Sequence, residues 1–225
     1  MKPKILCVHG LGISGSAMVQ LLRELEMNFG EYEFVYPDGE VDTTPTTGKS
    51  VEGSESHHAR ILEYLANADC SWDRCSASQL LRAHEYLDEI VEEDGPFEGI
   101  LGFSQGAEVA ASFLLYQSPN VTFSFAIFIG GTPPFDVSAL AAGKDVIPVK
   151  MHGDTHSARI EIPTAHIIGR SDAYREFSKV IVTLCNPRET KVYDHKGAHV
   201  VPRGQEAMED LTAALDWVVN RAMYQ

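Results

Sequence analysis

The sequence is short of basic residues and has no long apolar run. Lys and Arg number 18 against 32 Asp and Glu, a formal net charge of −14. Nucleic-acid backbones are held mainly by Lys and Arg. The balance therefore argues against nucleic acid as a partner, and against anionic membrane surfaces and polyanionic substrates. The apolar run Ile5 to Val8 is too short for a signal-peptide core and a turn follows at once. No other stretch approaches the length of a membrane span. A soluble, cytoplasmic protein with no membrane contact is the expectation.

Cysteine is scarce as well, with four in the chain. Cys7 and Cys185 lie in apolar stretches, where a buried free thiol is expected. Cys70 and Cys75 lie close together in a loop-like segment, and both a disulfide and two free thiols remain open. No CxxC or His-rich zinc pattern occurs. His152 and His156 flank Asp154, but their segment lacks a helical pattern and no third ligand is in view, so no metal is expected. His57 and His58 sit in a polar loop and read as solvated.

What remains is an ordinary globular composition, 44% hydrophobic and 22% charged, long enough for one domain. Short apolar or β-branched runs alternate with longer helical patterns, which predicts an α/β fold: a mostly parallel central sheet with helices on both faces. Strands are expected at Lys4–His9, Glu33–Pro37, Gly99–Phe103, Thr122–Ile129, Pro163–Ile168 and Thr190–Asp194. Helices are expected at Ser14–Asn28, Gln79–Glu93, Gln105–Tyr116, Tyr174–Leu184 and Gln205–Ala222, with a short one at Ala59–Leu65. Ser14 and Ser16 are the candidate caps of the first helix. Residues 38–78 and 133–160 break the rhythm and read as lid or loop excursions from a single domain spanning 1–225.

Gly102-Phe103-Ser104-Gln105-Gly106 matches G-x-S-x-G between an apolar strand and an amphipathic helix. That is the setting of a nucleophile elbow, in which a tight turn lifts the serine hydroxyl above the sheet. A serine needs a base to take its proton. His199, in a glycine-containing loop between the last strand and the last helix, fits, and His195 is its competitor. Asp172, at the end of the preceding strand, is the candidate acid, with a helix N-cap as its structural alternative and Asp194 as fallback. The order Ser104, Asp172, His199 is that of α/β-hydrolases. The amides of Gln105 and Leu11, with Gly12 as second choice for the latter, are the candidate oxyanion donors. His9 is expected to order the loop after the first strand. Trp72, Phe135 and Tyr174 are candidate pocket residues.

The segments ILCVHGLGISG, GILGFSQGAEVAA, PTAHIIGRSDAY and GAHVVP together resemble the FSH family of serine hydrolases. That family includes the human ovarian-cancer-associated hydrolase and fungal thioesterases of polyketide pathways. The similarity runs from Lys4 to about Ala222. It implies an α/β-hydrolase, an esterase or thioesterase without a cofactor, and the same roles for Ser104, Asp172 and His199. It also implies an acyl substrate of small hydrophobic or polyketide-like kind.

The expected activity is hydrolysis of a carboxyl ester or thioester through an acyl-enzyme. Lactone hydrolysis, C–C cleavage and acyl transfer would use the same triad, and a non-catalytic ligand-binding protein is the rival from another class. The expected partner is a small-molecule acyl ester or thioester. A carrier-protein-bound acyl chain is the variant form, and would need a local basic patch for which Arg74 and Arg82 are the candidates.

Overall fold

A computed structural model describes residues 2–10, 13–38, 77–116, 122–134 and 159–224. Its frame is a six-stranded sheet of β1 (Lys4–Val8), β2 (Glu33–Val35), β3 (Gly99–Phe103), β4 (Phe125–Ile129), β5 (Thr164–Gly169) and β6 (Thr190–His195). The spatial order is β2-β1-β3-β4-β5-β6, and every pair is parallel. The helices are α1 (Gly15–Asn28), α2 (Ala77–Asp94), α3 (Gln105–Tyr116), α4 (Arg175–Thr183) and α5 (Gln205–Met223).

Strand alternation sends successive side chains to opposite faces, and here both faces are buried. Ile5, Cys7, Leu101, Ile127, Ile129 and Ile167 pack with Met18, Leu22 and Leu25 of α1 and Leu211, Leu215 and Val218 of α5. Leu6, Val8, Ile100 and Phe128 pack on the other face with Leu87 of α2, Val109 and Phe113 of α3, and Ile181 of α4. A sheet covered on both sides explains why β4 reads as a continuous apolar run, FAIFI, with no polar alternation.

All eleven of these elements were expected, two with the same bounds and the rest with ends moved by one to three residues. The strand expected from Thr122 begins at Phe125, because Ser124 already donates its amide to the Glu98 carbonyl outside the ladder. The strand expected to reach Pro37 ends at Val35, the last residue in register with β1. Ser14 is the cap of α1: its side chain accepts the Ala17 amide at 3.1 Å. Ser16 instead lies inside the helix, its hydroxyl 2.8 Å from that of Ser14.

The strand order carries a functional consequence. From β1 the chain passes through α1 to β2 on one side, and then through α2 back across β1 to β3 on the other. The order therefore reverses between β1 and β3, and the carboxyl edge at such a reversal is the usual place for a ligand in these sheets. A β-carbon on Gly10, just past β1, would lie 3.0 Å from the β-carbon of Ser104, just past β3. The switch point and the candidate nucleophile coincide.

Cys7 and Cys185 are buried free thiols, and burial pushes both up, Cys185 to about 12. Among the described residues no helix is long and apolar enough to cross a membrane. The candidate lid segments, the short helix at Ala59–Leu65, Cys70, Cys75, His57, His58, His152 and His156 lie outside the described residues, apart from the fringes of the two excursions.

Candidate active site

Ser104 sits between β3 and α3 with φ of 55°, the only non-glycine residue at positive φ among those described. A left-handed conformation at a residue with a β-carbon costs about 1–2 kcal/mol. It persists because its surroundings leave no alternative. The Ser104 amide donates to the Ile129 carbonyl at 2.8 Å, and its own carbonyl accepts from Ala107 and Glu108 at 3.0 and 3.3 Å. The flanking glycines allow the turn to close. A β-carbon on Gly102 would fall 2.5 Å from the Ala107 α-carbon, and one on Gly106 would fall 2.1 Å from the Val8 carbonyl oxygen. No side chain fits at either position.

His199 reaches Ser104 from the loop after β6. Its Nε2 lies 2.8 Å from Ser104 Oγ, and its Nδ1 lies 2.8 Å from Asp172 Oδ2. The imidazole is 26% exposed, whereas the Asp172 side chain is 1% exposed. With the carboxylate accepting the Nδ1 proton, Nε2 is left as the acceptor for the serine hydroxyl; this tautomer follows from the network. A serine hydroxyl bonded to an imidazole, itself oriented by a buried carboxylate, can lose its proton as it attacks a carbonyl.

The Asp172 carboxylate makes two hydrogen bonds, one through each oxygen. Oδ2 holds His199, and Oδ1 accepts the Tyr174 amide at 2.7 Å, organising the turn into α4. The cap residue of α4 is Tyr174, with no side-chain cap bond of its own. The turn thus fixes the carboxylate that faces the histidine.

The two alternatives are placed elsewhere. His195 is buried, and its Nδ1 accepts the Gly197 amide at 3.1 Å, bracing the loop that carries His199. Burial lowers its pKa, against the opposing pull of Asp172, Asp210 and Asp194. Asp194 makes a two-pronged ion pair with Arg175 at 2.7 and 3.0 Å. Hydrogen bonding from that guanidinium holds its carboxyl below the usual range.

Gln105 is the first residue of α3, so its amide belongs to the helix-terminal donors that have no partner within the helix. Leu11 and Gly12, the candidates for the second donor, lie outside the described residues. His9 is buried with Nδ1 3.1 Å from the Gly10 carbonyl, and burial lowers its pKa. Of the candidate pocket residues, Tyr174 meets the His199 ring edge-on with centroids 5.1 Å apart. Trp72 and Phe135 lie outside the described residues. Arg82 is exposed on α2, and Arg74 is also outside.

Two contributors were not among the candidate site residues. Phe103 lies close to His199, with ring centroids 5.6 Å apart. Gly130, after β4, has φ of 55°, and a β-carbon there would come within 3.2 Å of the His199 ring and 3.5 Å of Asp172 Oδ2. The pair Gly130-Gly131 following an apolar strand was the available signal of close approach. A cavity of about 1000 Å³ opens beside His199, with Leu21, Phe103, Val200 and Val201 as apolar lining and Arg170, Lys196, Arg203, Glu209 and Asp210 as charged lining. Among the described residues no group of three or more His, Cys, Asp or Glu could hold a metal.

A parallel sheet with this order, covered on both faces and carrying a serine on a strained strand-to-helix turn, defines an α/β-hydrolase. The chain belongs to the serine hydrolase (FSH1) family, whose model matches residues 1–211. It is 31% identical to Esterase FPY3 of Fusarium mangiferae, with 98% of each chain covered. It is 26% identical to Esterase alnB of Emericella nidulans, with 99% of each covered. The carboxylesterase from Mesorhizobium loti shares the fold, with a TM-score of 0.62 at 17% identity over 96% of this chain and 89% of that one. The protein is accordingly an ester-hydrolysing enzyme of the serine hydrolase class.

Proposed function

We propose that the enzyme cleaves a carboxyl ester or thioester by two-step acyl transfer on Ser104, with His199 as base and Asp172 as its orienting acid. The observation that carries this reading is the single hydrogen-bonded chain through the three side chains, 2.8 Å at each link. His199 Nε2 takes the proton as Ser104 Oγ bonds to the carbonyl carbon. The resulting oxyanion is held by the Gln105 amide, with Leu11 supplying the second donor. His199 then gives its proton to the departing alkoxide or thiolate as the carbonyl re-forms. A water activated by His199 attacks the acyl-enzyme, releasing the acid and restoring the Ser104 hydroxyl. Asp172 holds the imidazole in place and steadies the transient imidazolium.

The cavity beside His199 supports a substrate with an apolar body and polar substituents, because apolar side chains line it together with charges of both signs. A polyketide-like acyl chain has that character. Tyr174 and Phe103, both in ring contact with the imidazole, add aromatic surface close to the reacting carbonyl.

Intact-mass analysis after fluorophosphonate treatment tests the assignment. The wild-type chain should take one adduct, and Ser104→Ala none, with ester turnover down by several orders of magnitude. Turnover near wild type in the Ser104→Ala protein would refute it.

A further inference from the structure

Ser104, Asp172 and His199 leave the sheet from three different strand ends, and their mutual hydrogen bonds do not fix where those ends stand. Four consecutive residues, from the last of β4 to the third beyond it, make contacts with these segments. The Ile129 carbonyl accepts the Ser104 amide at 2.8 Å. Gly130 lies beneath the His199 ring and the Asp172 carboxylate. The Gly131 carbonyl accepts Ser178 Oγ at 2.7 Å, on the helix that begins just past Asp172. Thr132 Oγ1 donates to Glu108 Oε2, one helical turn beyond Ser104. The Glu108 amide in turn bonds to the Ser104 carbonyl at 3.3 Å.

The last of these contacts is chemically unusual for its place. Thr132 and Glu108 are each 2% exposed. A hydroxyl and a carboxyl in such a setting are costly unless bonded, and packing alone would be served as well by an apolar pair. What an apolar pair lacks is direction. The hydrogen bond specifies both the distance and the angle between α3 and the segment under His199.

We infer that Thr132 is a positioning residue: through its hydrogen bond to Glu108 it sets Ser104 Oγ at attacking distance from His199 Nε2. It touches neither reacting atom and acts through α3 and the elbow. The inference rests on Ser104 being the nucleophile.

Substitution with Val, Ala and Ser separates the hydroxyl from the volume. Val and Ala lack the hydroxyl, while Ala and Ser lack a methyl group's worth of volume or more. Each variant is assayed for fluorophosphonate labelling rate, kcat, KM and thermal midpoint. Labelling and kcat should sort by hydroxyl: about 10- to 100-fold lower in Thr132→Val and Thr132→Ala, the scale expected of a misplaced reacting group. Thr132→Ser should restore them to within about threefold, with KM nearly constant throughout. If Thr132→Val perturbs folding, Ala against Ser makes the same comparison at smaller volume. Rates that follow volume, or that match wild type in the hydroxyl-less variants, overturn the inference while leaving Ser104 as nucleophile. A wild-type chain that takes no adduct overturns the nucleophile assignment, and this inference with it.

Discussion

Two neighbouring strand ends in this molecule share one backbone conformation and use it for opposite ends. Phe103 of β3 stands opposite Ile129 of β4. The next residue of each chain, Ser104 and Gly130, has φ of 55°. At the first, the left-handed turn projects a hydroxyl from the carboxyl edge of the sheet. At the second it leaves bare backbone, so that the His199 ring can lie within van der Waals reach. One turn presents a hydroxyl and the other makes room for the imidazole bonded to it. The strain is therefore tolerated at Ser104, where the side chain is needed, and avoided at Gly130, where glycine meets no β-carbon penalty.

That contrast can be broken at either end. The largest effect belongs to the serine. Ser104→Gly should abolish ester turnover as completely as Ser104→Ala, yet exceed it in stability by about 1 kcal/mol, because only the alanine keeps a β-carbon in the left-handed region. Chemical denaturation of the two variants measures that difference. Equal stability would mean that the turn holds no strain worth relieving.

A smaller loss is expected at the other turn. Gly130→Ala places a β-carbon about where the His199 ring needs to be and adds a left-handed penalty as well. Turnover should fall about 100-fold and stability by about 1–2 kcal/mol. Near wild-type activity in that variant would show that the ring can lift away from β4 without losing Ser104.

The smallest effect is a control from a third strand end. Asp194, at the end of β6, is paired with Arg175 and takes no part in the triad hydrogen bonds. Asp194→Asn should leave fluorophosphonate labelling unchanged. Because the pair is partly exposed, the change should lower stability by less than about 1 kcal/mol at neutral pH. Arg175 holds the Asp194 carboxyl below its unfolded value. The stabilisation is therefore present above the unfolded carboxylate pKa and disappears as pH falls through the lowered folded one. Unfolding curves of wild type and Asp194→Asn should converge in acid. A loss of labelling would move the acid role towards Asp194 and away from Asp172.

Much of this site was legible because its chemistry is local. Gly102 to Gly106 announces a tight strand-to-helix turn, since glycines on both sides of a serine answer to a steric demand within a few residues. Asp172 and His199 follow from chain order and from lying just after strands. Whether Asp172 would cap a helix or hold the histidine could not be read in advance, because both uses call for the same residue at the same place. In the structure one oxygen faces His199 and the other accepts the Tyr174 amide in the turn before α4, whose cap is Tyr174 itself.

The sequence by itself determined the alternation of strands and helices and the serine turn, because these rest on periodicity and short-range sterics. Tertiary structure alone decided the rest. The strand order β2-β1-β3-β4-β5-β6 placed its reversal point beside Ser104. Packing of the His199 loop against β4 gave Gly130 its role, and burial joined Thr132 to Glu108 across 24 residues of chain. None of these has a local signature, since each depends on which distant backbone comes to lie alongside. A close approach between separate strand ends exists only once the sheet has been assembled.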